Sequence, residues 1–194
     1  MKDFPTILAF DTAAAHCAAA VMLEGQVVSR VEEMSRGQGE RLMVMLEEIL
    51  AENDTTWGDI DAIAVGVGPG NFTGIRISVS AARGLALGLG IPAVGVSLFD
   101  TTQRLSNRAQ VSVPAPRDQS YVMDFDKQVA PMMVHKNKLT NHAASTLYSA
   151  FDHVVAMTHI AAERASPKTR RPAPLYVRPA DAAPPRDKPP MILP

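Results

Sequence analysis

"VGVGPGNFTGIRISVSAARGLALGLG", Val65 to Gly90, opens as the end of a strand, passes through a glycine-rich turn and continues as a helix. Gly66, Gly68, Gly70 and Gly74 surround that junction, where glycine permits positive φ and lets backbone amides approach another group. A P-loop needs a lysine and a hydroxyl directly after its last glycine, and here Gly74 is followed by Ile75-Arg76. A dinucleotide fingerprint follows the first strand of its domain, whereas this loop follows the fourth. Two uses remain. The glycines permit a tight turn and close helix-to-sheet packing, with Asn71 or Thr73 as the helix cap. Alternatively the loop is a contact surface, in which Asn71, Phe72 and Arg76 meet a partner or a neighbouring domain.

Working outward, Thr6 to Phe10 and Ala18 to Leu23 are short apolar runs of strand type, and a Glu24-Gly25 turn joins the second to Gln26 to Glu32. Gly39 to Asn53 repeats apolar residues at Leu42, Met45, Leu46, Ile49 and Leu50, with glutamates opposite, which predicts an amphipathic helix. Asp61 to Val67 is a buried strand, Asn71 to Leu89 a helix ended by Gly90, and Ile91 to Val96 a closing strand. Three strands, a helix, a strand, a helix and a strand describe an α/β domain over residues 1–100. Beyond it, Gln110 to Val113 and Ser120 to Phe125 predict a hairpin, Gln128 to Val134 another strand, and Ala143 to Arg164 one or two helices. Residues 101–166 are thus a second, shorter domain, and residues 167–194, with nine prolines, a tail that lies extended on a surface or stays mobile.

With 19 basic and 20 acidic side chains in 194 residues, no global field draws this chain to nucleic acid or an anionic membrane. A 46% apolar content is enough for a core. The lone Cys17 excludes an internal disulfide and fits a small core residue in a reducing compartment. Asp11 and His16 interrupt the N-terminal apolar run, so it is neither signal peptide nor membrane span, and the expectation is a cytoplasmic protein. The five histidines, His16, His135, His142, His153 and His159, have no metal-ligand spacing and read as surface or satisfied residues.

"ILAFDTAAAHCAAAVMLEG" (Ile7–Gly25), "RGQGERLMVMLEEIL" (Arg36–Leu50), "DIDAIAVGVGPGNFTGIRISVSAARGLALGLGIPAVGVS" (Asp59–Ser97) and "RRPAPLYVRPADA" (Arg170–Ala182) together resemble the TsaB (YeaZ) family. This is the glycoprotease-like, peptidase M22-like family of non-catalytic subunits in bacterial tRNA threonylcarbamoyladenosine formation. The resemblance implies an α/β fold of the actin, sugar-kinase and Hsp70 (ASKHA, ribonuclease H-like) type, with two related domains, the second shortened here. It places a phosphate turn at Asp11-Thr12, degraded because Ala13-Ala14-Ala15 lacks glycine, hydroxyl and lysine. It also implies that the metal-binding His-x-x-x-His pair of the catalytic sister subunit is missing, since Ser35, Arg36, Gln38 and Glu40 stand in that segment. No cofactor is expected on this chain; ATP and metal belong to the catalytic partner.

The resemblance further implies a helical bundle across a subunit interface, carried over onto Leu42, Met43, Met45, Leu46, Ile49 and Leu50 of the first helix and Ile75, Val79, Ala82, Arg83 and Ala86 of the second. On that reading Leu46→Glu or Ala82→Arg leaves the fold intact and abolishes association. Gly68, Pro69, Gly70, Asn71, Phe72, Thr73, Gly74 and Arg76 form the loop contact. The implied partners are the catalytic threonylcarbamoyltransferase subunit and the ATPase subunit of the same machinery, with tRNA reached only indirectly and no membrane. Two other readings stand beside the scaffold: an enzyme in its own right, either a peptidase or a small ATP-dependent phosphotransferase, and a module that pairs with itself as a homodimer.

Overall fold

A computed structural model describes residues 4–127 and 129–177. β1 (Ile7–Asp11), β2 (His16–Leu23) and β3 (Gln26–Glu33) form an antiparallel meander, followed by α1 (Gln38–Ala51), β4 (Ala62–Gly66), α2 (Phe72–Leu89) and β5 (Ala93–Val96). The five strands make one sheet in the order β3-β2-β1-β4-β5, with β4 parallel to both β1 and β5. Central strands covered on both faces read as unbroken apolar runs, and every residue of β4 is buried. Edge strand β3 instead mixes exposed with half-covered positions.

The two faces of this sheet carry different side chains, and the difference decides what packs there. Leu8, Phe10, Val21, Ile63 and Val65 point to one face, where they meet Leu42, Met45, Leu46 and Ile49 of α1 and Ile75, Val79 and Ala82 of α2. Ala9, Ala18, Ala20, Ala62 and Ala64 point to the other. Alanines let a helix come close, and α4 (Ala150–Arg164) lies there on Val154, Met157, Ile160 and Ala161. This corrects the sequence division in part, since residues 150–164 were grouped with the second half. An apolar stripe at helical spacing says that a helix is covered, not by which sheet.

The second half rests on α3 (Leu98–Ser106), which sequence reading did not find. Its signal was present: Ser97 and Asp100 form a capping box, in which the Asp100 amide donates to Ser97 Oγ at 3.1 Å and the Ser97 amide to Asp100 Oδ2 at 2.9 Å. β6 (Gln110–Ala115), β7 (Gln119–Asp124) and β8 (Met132–His135) form a meander, and β9 (Ala143–Ala144) pairs parallel to β6. That order, β8-β7-β6-β9, repeats β3-β2-β1-β4 of the first sheet in outline. Arg117 and Asp118, both at positive φ, make the β6–β7 turn. The strand expected from Gln128 begins at Met132, and Gln128 itself lies outside the described residues. Two related α/β halves, the second reduced, are the ASKHA, ribonuclease H-like arrangement the sequence implied.

An ion-pair network ties β3 to α1. Arg41 donates to both Glu32 and Glu48, and Arg30 to Glu48 and Glu52. Hydrogen bonding from the Arg41 guanidinium holds the carboxyls of Glu32 and Glu48 below their usual range. A carboxylate with a lowered folded-state pKa contributes stability above its unfolded value of about 4.3, and that contribution fades as pH falls through the folded value. Arg41→Gln is therefore expected to melt below the wild type at pH 7, with the gap narrowing at pH 3. Parallel thermal melts at the two pH values check it, and a gap that is equal at both would reject the network as a source of stability.

Candidate functional site

The glycine loop and the β1–β2 turn lock together. A Cβ on Gly66 would stand 1.8 Å from Asp11 Oδ1, one on Gly70 2.4 Å from the Ala13 carbonyl, and one on Gly74 1.9 Å from the Thr12 carbonyl. No side chain fits at such distances, so the i, i+4, i+8 glycines are there for close approach. Polar bonds fasten the same contact: the Asn71 amide donates to the Ala13 carbonyl at 2.6 Å, and Thr12 Oγ1 to the Gly74 carbonyl at 2.8 Å. Asn71, rather than Thr73, caps α2, accepting from the Gly74 amide at 2.9 Å.

Three amides of the two turns are bonded within the chain: the Ala13 amide donates to Asp11 Oδ2 at 3.2 Å, and the Asn71 and Gly74 amides are bonded as described. The Asp11 carboxylate stands beside them, a poor neighbour for an anion. Among the described residues no cluster of three or more histidines, cysteines and carboxylates is placed to hold a metal ion.

The tail, not a partner, covers part of the loop. The Leu175 amide donates to the Val67 carbonyl at 2.8 Å, and Pro172 packs beside Gly95. Tyr176 stacks on Phe72 with ring centroids 4.9 Å apart, while the Arg76 guanidinium lies 3.8 Å over the Phe72 ring and its Nε donates to the Tyr176 hydroxyl. Phe72 and Arg76 were read as contacts for a partner or domain; their neighbour is residue 176 of the same chain. Of the proline-rich tail, residues 172–176 lie against this loop and the sheet edge, and the part beyond Val177 lies outside the described residues.

The residues expected at a helical interface divide. Leu42, Met45, Leu46, Ile49, Leu50, Ile75, Val79 and Ala82 are each at most 3% exposed, packed inward on the sheet. Their stripe is core, because the sheet needs the same apolar spacing that a partner would. Met43 and Arg83 point outward and Ala86 is half-buried, which leaves the outer face to Met43, Val44, Arg83 and Leu87. Val44 and Leu87, 47% and 77% exposed, were missed because they fall off the 3.6-residue stripe. Gly84 and Gly88 lie on α2 with nothing within 4 Å of a built Cβ. Each costs the helix about 0.5–1 kcal/mol against alanine, and no packing among the described residues requires it.

Behind the loop, the opposite side of the first sheet opens on a cleft. Asp11 and His16 face each other across the β1–β2 hairpin, with His16 Nε2 3.3 Å from Asp11 Oδ2. On α4, His153 bonds Thr101 Oγ1 through Nδ1 at 2.8 Å and the Ser145 carbonyl through Nε2 at 3.1 Å, and burial lowers its pKa. That agrees with His153 as a satisfied residue, whereas His16 joins the cleft. Its signal was the alternation of β2: Asp11 pairs with Ala18, and His16, two residues earlier, lies on the same face. Cys17 is fully buried, and burial, with Glu32 and Asp11 nearby, pushes its thiol up to about 11, as suits an inert core residue. No helix among the described residues is long and apolar enough to cross a membrane.

Residues 27–108 match the family model described as "TsaD: tRNA N6-adenosine threonylcarbamoyltransferase". The chain is 43% identical over 95 residues to the tRNA threonylcarbamoyladenosine biosynthesis protein TsaB of Escherichia coli K12, covering 49% of this chain and 41% of that protein. To the protein of the same name from Haemophilus influenzae it is 37% identical over 92 residues, 47% of this chain and 39% of that one. The chain spans about two fifths of the length of these curated relatives. A crystal structure of an uncharacterized Pseudomonas aeruginosa protein with similarity to peptidase YeaZ superposes with a TM-score of 0.72, over 90% of this chain and 100% of that one. At 24% identity that likeness shows the fold alone. The first half of the chain, glycine loop included, is thus similar to the TsaB proteins of these bacteria.

Proposed function

We propose that this chain is a scaffold subunit in the formation of N6-threonylcarbamoyladenosine in tRNA: it binds the catalytic threonylcarbamoyltransferase subunit and holds it in a productive state. One observation carries this reading. The outer side of α1 and α2 combines the exposed Met43, Val44 and Leu87 with two glycines, Gly84 and Gly88, that packing among the described residues does not need. Exposed apolar groups beside small residues are what a second pair of helices requires for close approach. The glycine loop contributes indirectly, by fixing where α2 starts. An independent phosphotransferase is disfavoured, because the Ala13, Asn71 and Gly74 amides are bonded within the chain and the Asp11 carboxylate stands beside them. The scaffold's effect on its partner is differential binding of one partner state, and neither ATP nor metal on this chain enters it. The ATPase subunit of the same machinery is the second partner this reading implies. Self-pairing uses the same surface and competes with heterodimer formation.

The test is threonylcarbamoyl transfer to tRNA by the catalytic sister subunit of the same organism, with this chain, without it, and with this chain alone. Activity is expected only in the mixture. Met43→Glu combined with Leu87→Glu should keep the wild-type melting curve and weaken association at least tenfold, about 1.4 kcal/mol or more. Transfer that proceeds equally well without this chain would sink the scaffold reading.

A further inference from the structure

The cleft between the two halves encloses about 350 Å³, within the usual range for small-molecule sites, and no residue of α1 or α2 lines it. Its floor is the Asp11–His16 pair, and its walls are apolar: Val96, Val113, Val154 and Met157. Most of the other polar groups facing it are spent. Ser97 bonds Asp100, while Thr101 and the Ser145 carbonyl hold His153. Thr146 and Tyr148 add hydroxyls near the second half. Among the described residues Asp11 is the one carboxylate of the lining, and neither lysine nor arginine belongs to it.

These observations select a ligand by charge. An anion would meet the Asp11 carboxylate with no lysine or arginine among the described lining residues to compensate, in a place where apolar walls strengthen the repulsion. A wholly apolar ligand would desolvate that carboxylate, whose bonds within the chain, from the Ala13 amide and with His16, all fall on Oδ2. A protonated amine satisfies both conditions, since it donates to the carboxylate and carries an apolar body along the walls. His16 Nε2 sits 3.3 Å from Asp11 Oδ2 on one side of the carboxylate. The aromatic ring of Tyr148, which meets His153 edge-on at 6.1 Å, offers such a body a further surface.

We propose that the cleft binds a small organic amine, its ammonium group on Asp11 and its apolar body between Val113, Val154 and Met157. This site lies across the sheet from the partner helices and does not rest on the partner reading.

The probes are benzylamine, benzyl alcohol and phenylacetate, one body with three head groups, titrated into the full chain while the ring protons of His16 and His153 are followed by NMR. Benzylamine is expected to saturate with a Kd of about 1 mM or below, at least tenfold tighter than benzyl alcohol. Phenylacetate should give no saturable shift. Asp11→Asn should remove the tenfold preference while benzyl alcohol binds as before, and Thr146→Trp should weaken every probe by narrowing the cleft without touching its floor. Should Asp11→Asn prove unfolded, the comparison of benzylamine with phenylacetate on the wild type decides alone. Phenylacetate or ATP binding as tightly as benzylamine would overturn the proposal, as would benzylamine that moves neither histidine.

Discussion

Leu46→Glu is expected to unfold this chain, not to release it from a partner. Leu46 is fully buried between α1 and the first sheet, in one cluster with Phe10, Ile63 and Val65. Removing a buried leucine side chain costs about 2–5 kcal/mol, and setting a carboxylate in the same space adds several more. The sum approaches the entire stability of an ordinary domain, about 5–15 kcal/mol. The thermal transition should vanish or fall by tens of degrees, with the helical circular dichroism. Val44→Glu, two residues earlier and 47% exposed, should melt with the wild type, since outward substitutions cost within about 0.5 kcal/mol. The same reasoning extends to Ala82→Arg, because Ala82 is also fully buried. A folded Leu46→Glu protein with a wild-type melting curve would mean that the inner and outer faces of α1 are wrongly assigned.

Gly74→Ala and Gly84→Ala should move stability in opposite directions, although both positions lie in the same helix. At Gly74 the new Cβ would stand 1.9 Å from the Thr12 carbonyl, which is backbone and cannot swing away. Either the β1–β2 turn or the first turn of α2 must shift, at an overpacking cost of about 1–3 kcal/mol or more. At roughly 2–4 °C per kcal/mol for a chain of this size, that is a fall on the order of 5–10 °C. At Gly84 the new Cβ meets nothing within 4 Å, so only the backbone entropy of the unfolded chain and the helix propensity change. The gain is about 0.5–1 kcal/mol, a rise of about 2–4 °C. Differential scanning calorimetry of the two variants reads both signs. A fall at Gly84 would show that this glycine serves the chain's own packing, and the case for an outside occupant of α2 would lose half its support.

Much of the first half was legible because its signals are local. β-period runs, one amphipathic helix and a glycine turn fall within a few residues of one another, and every strand and α-helix before residue 97 was read within about three residues of its observed ends, the one-turn 3-10 helix at Trp57–Asp59 being missed. Several of the second half's elements were not. α3 carries a capping box but a stripe too short to separate from a loop, and β9 has two residues, below any periodic signal. At the site, the sequence gives a glycine-rich turn, and the structure shows what its glycines are for: the Ala13 and Thr12 carbonyls press on Gly70 and Gly74.

What the sequence by itself determined, then, was the order of the first domain's elements and the resemblance of its glycine loop and flanking strands to one family. The tertiary structure alone decided three things: which side of α1 is inside, that α4 crosses back to the alanine face of the first sheet, and that Tyr176 closes on Phe72. The physical reason is the same for all three. An apolar stripe at helical spacing records that a face will be covered, but the cover comes from residues far away in the chain, as with Phe72 and Tyr176. Only the folded arrangement of sheets and helices chooses among the surfaces that would serve.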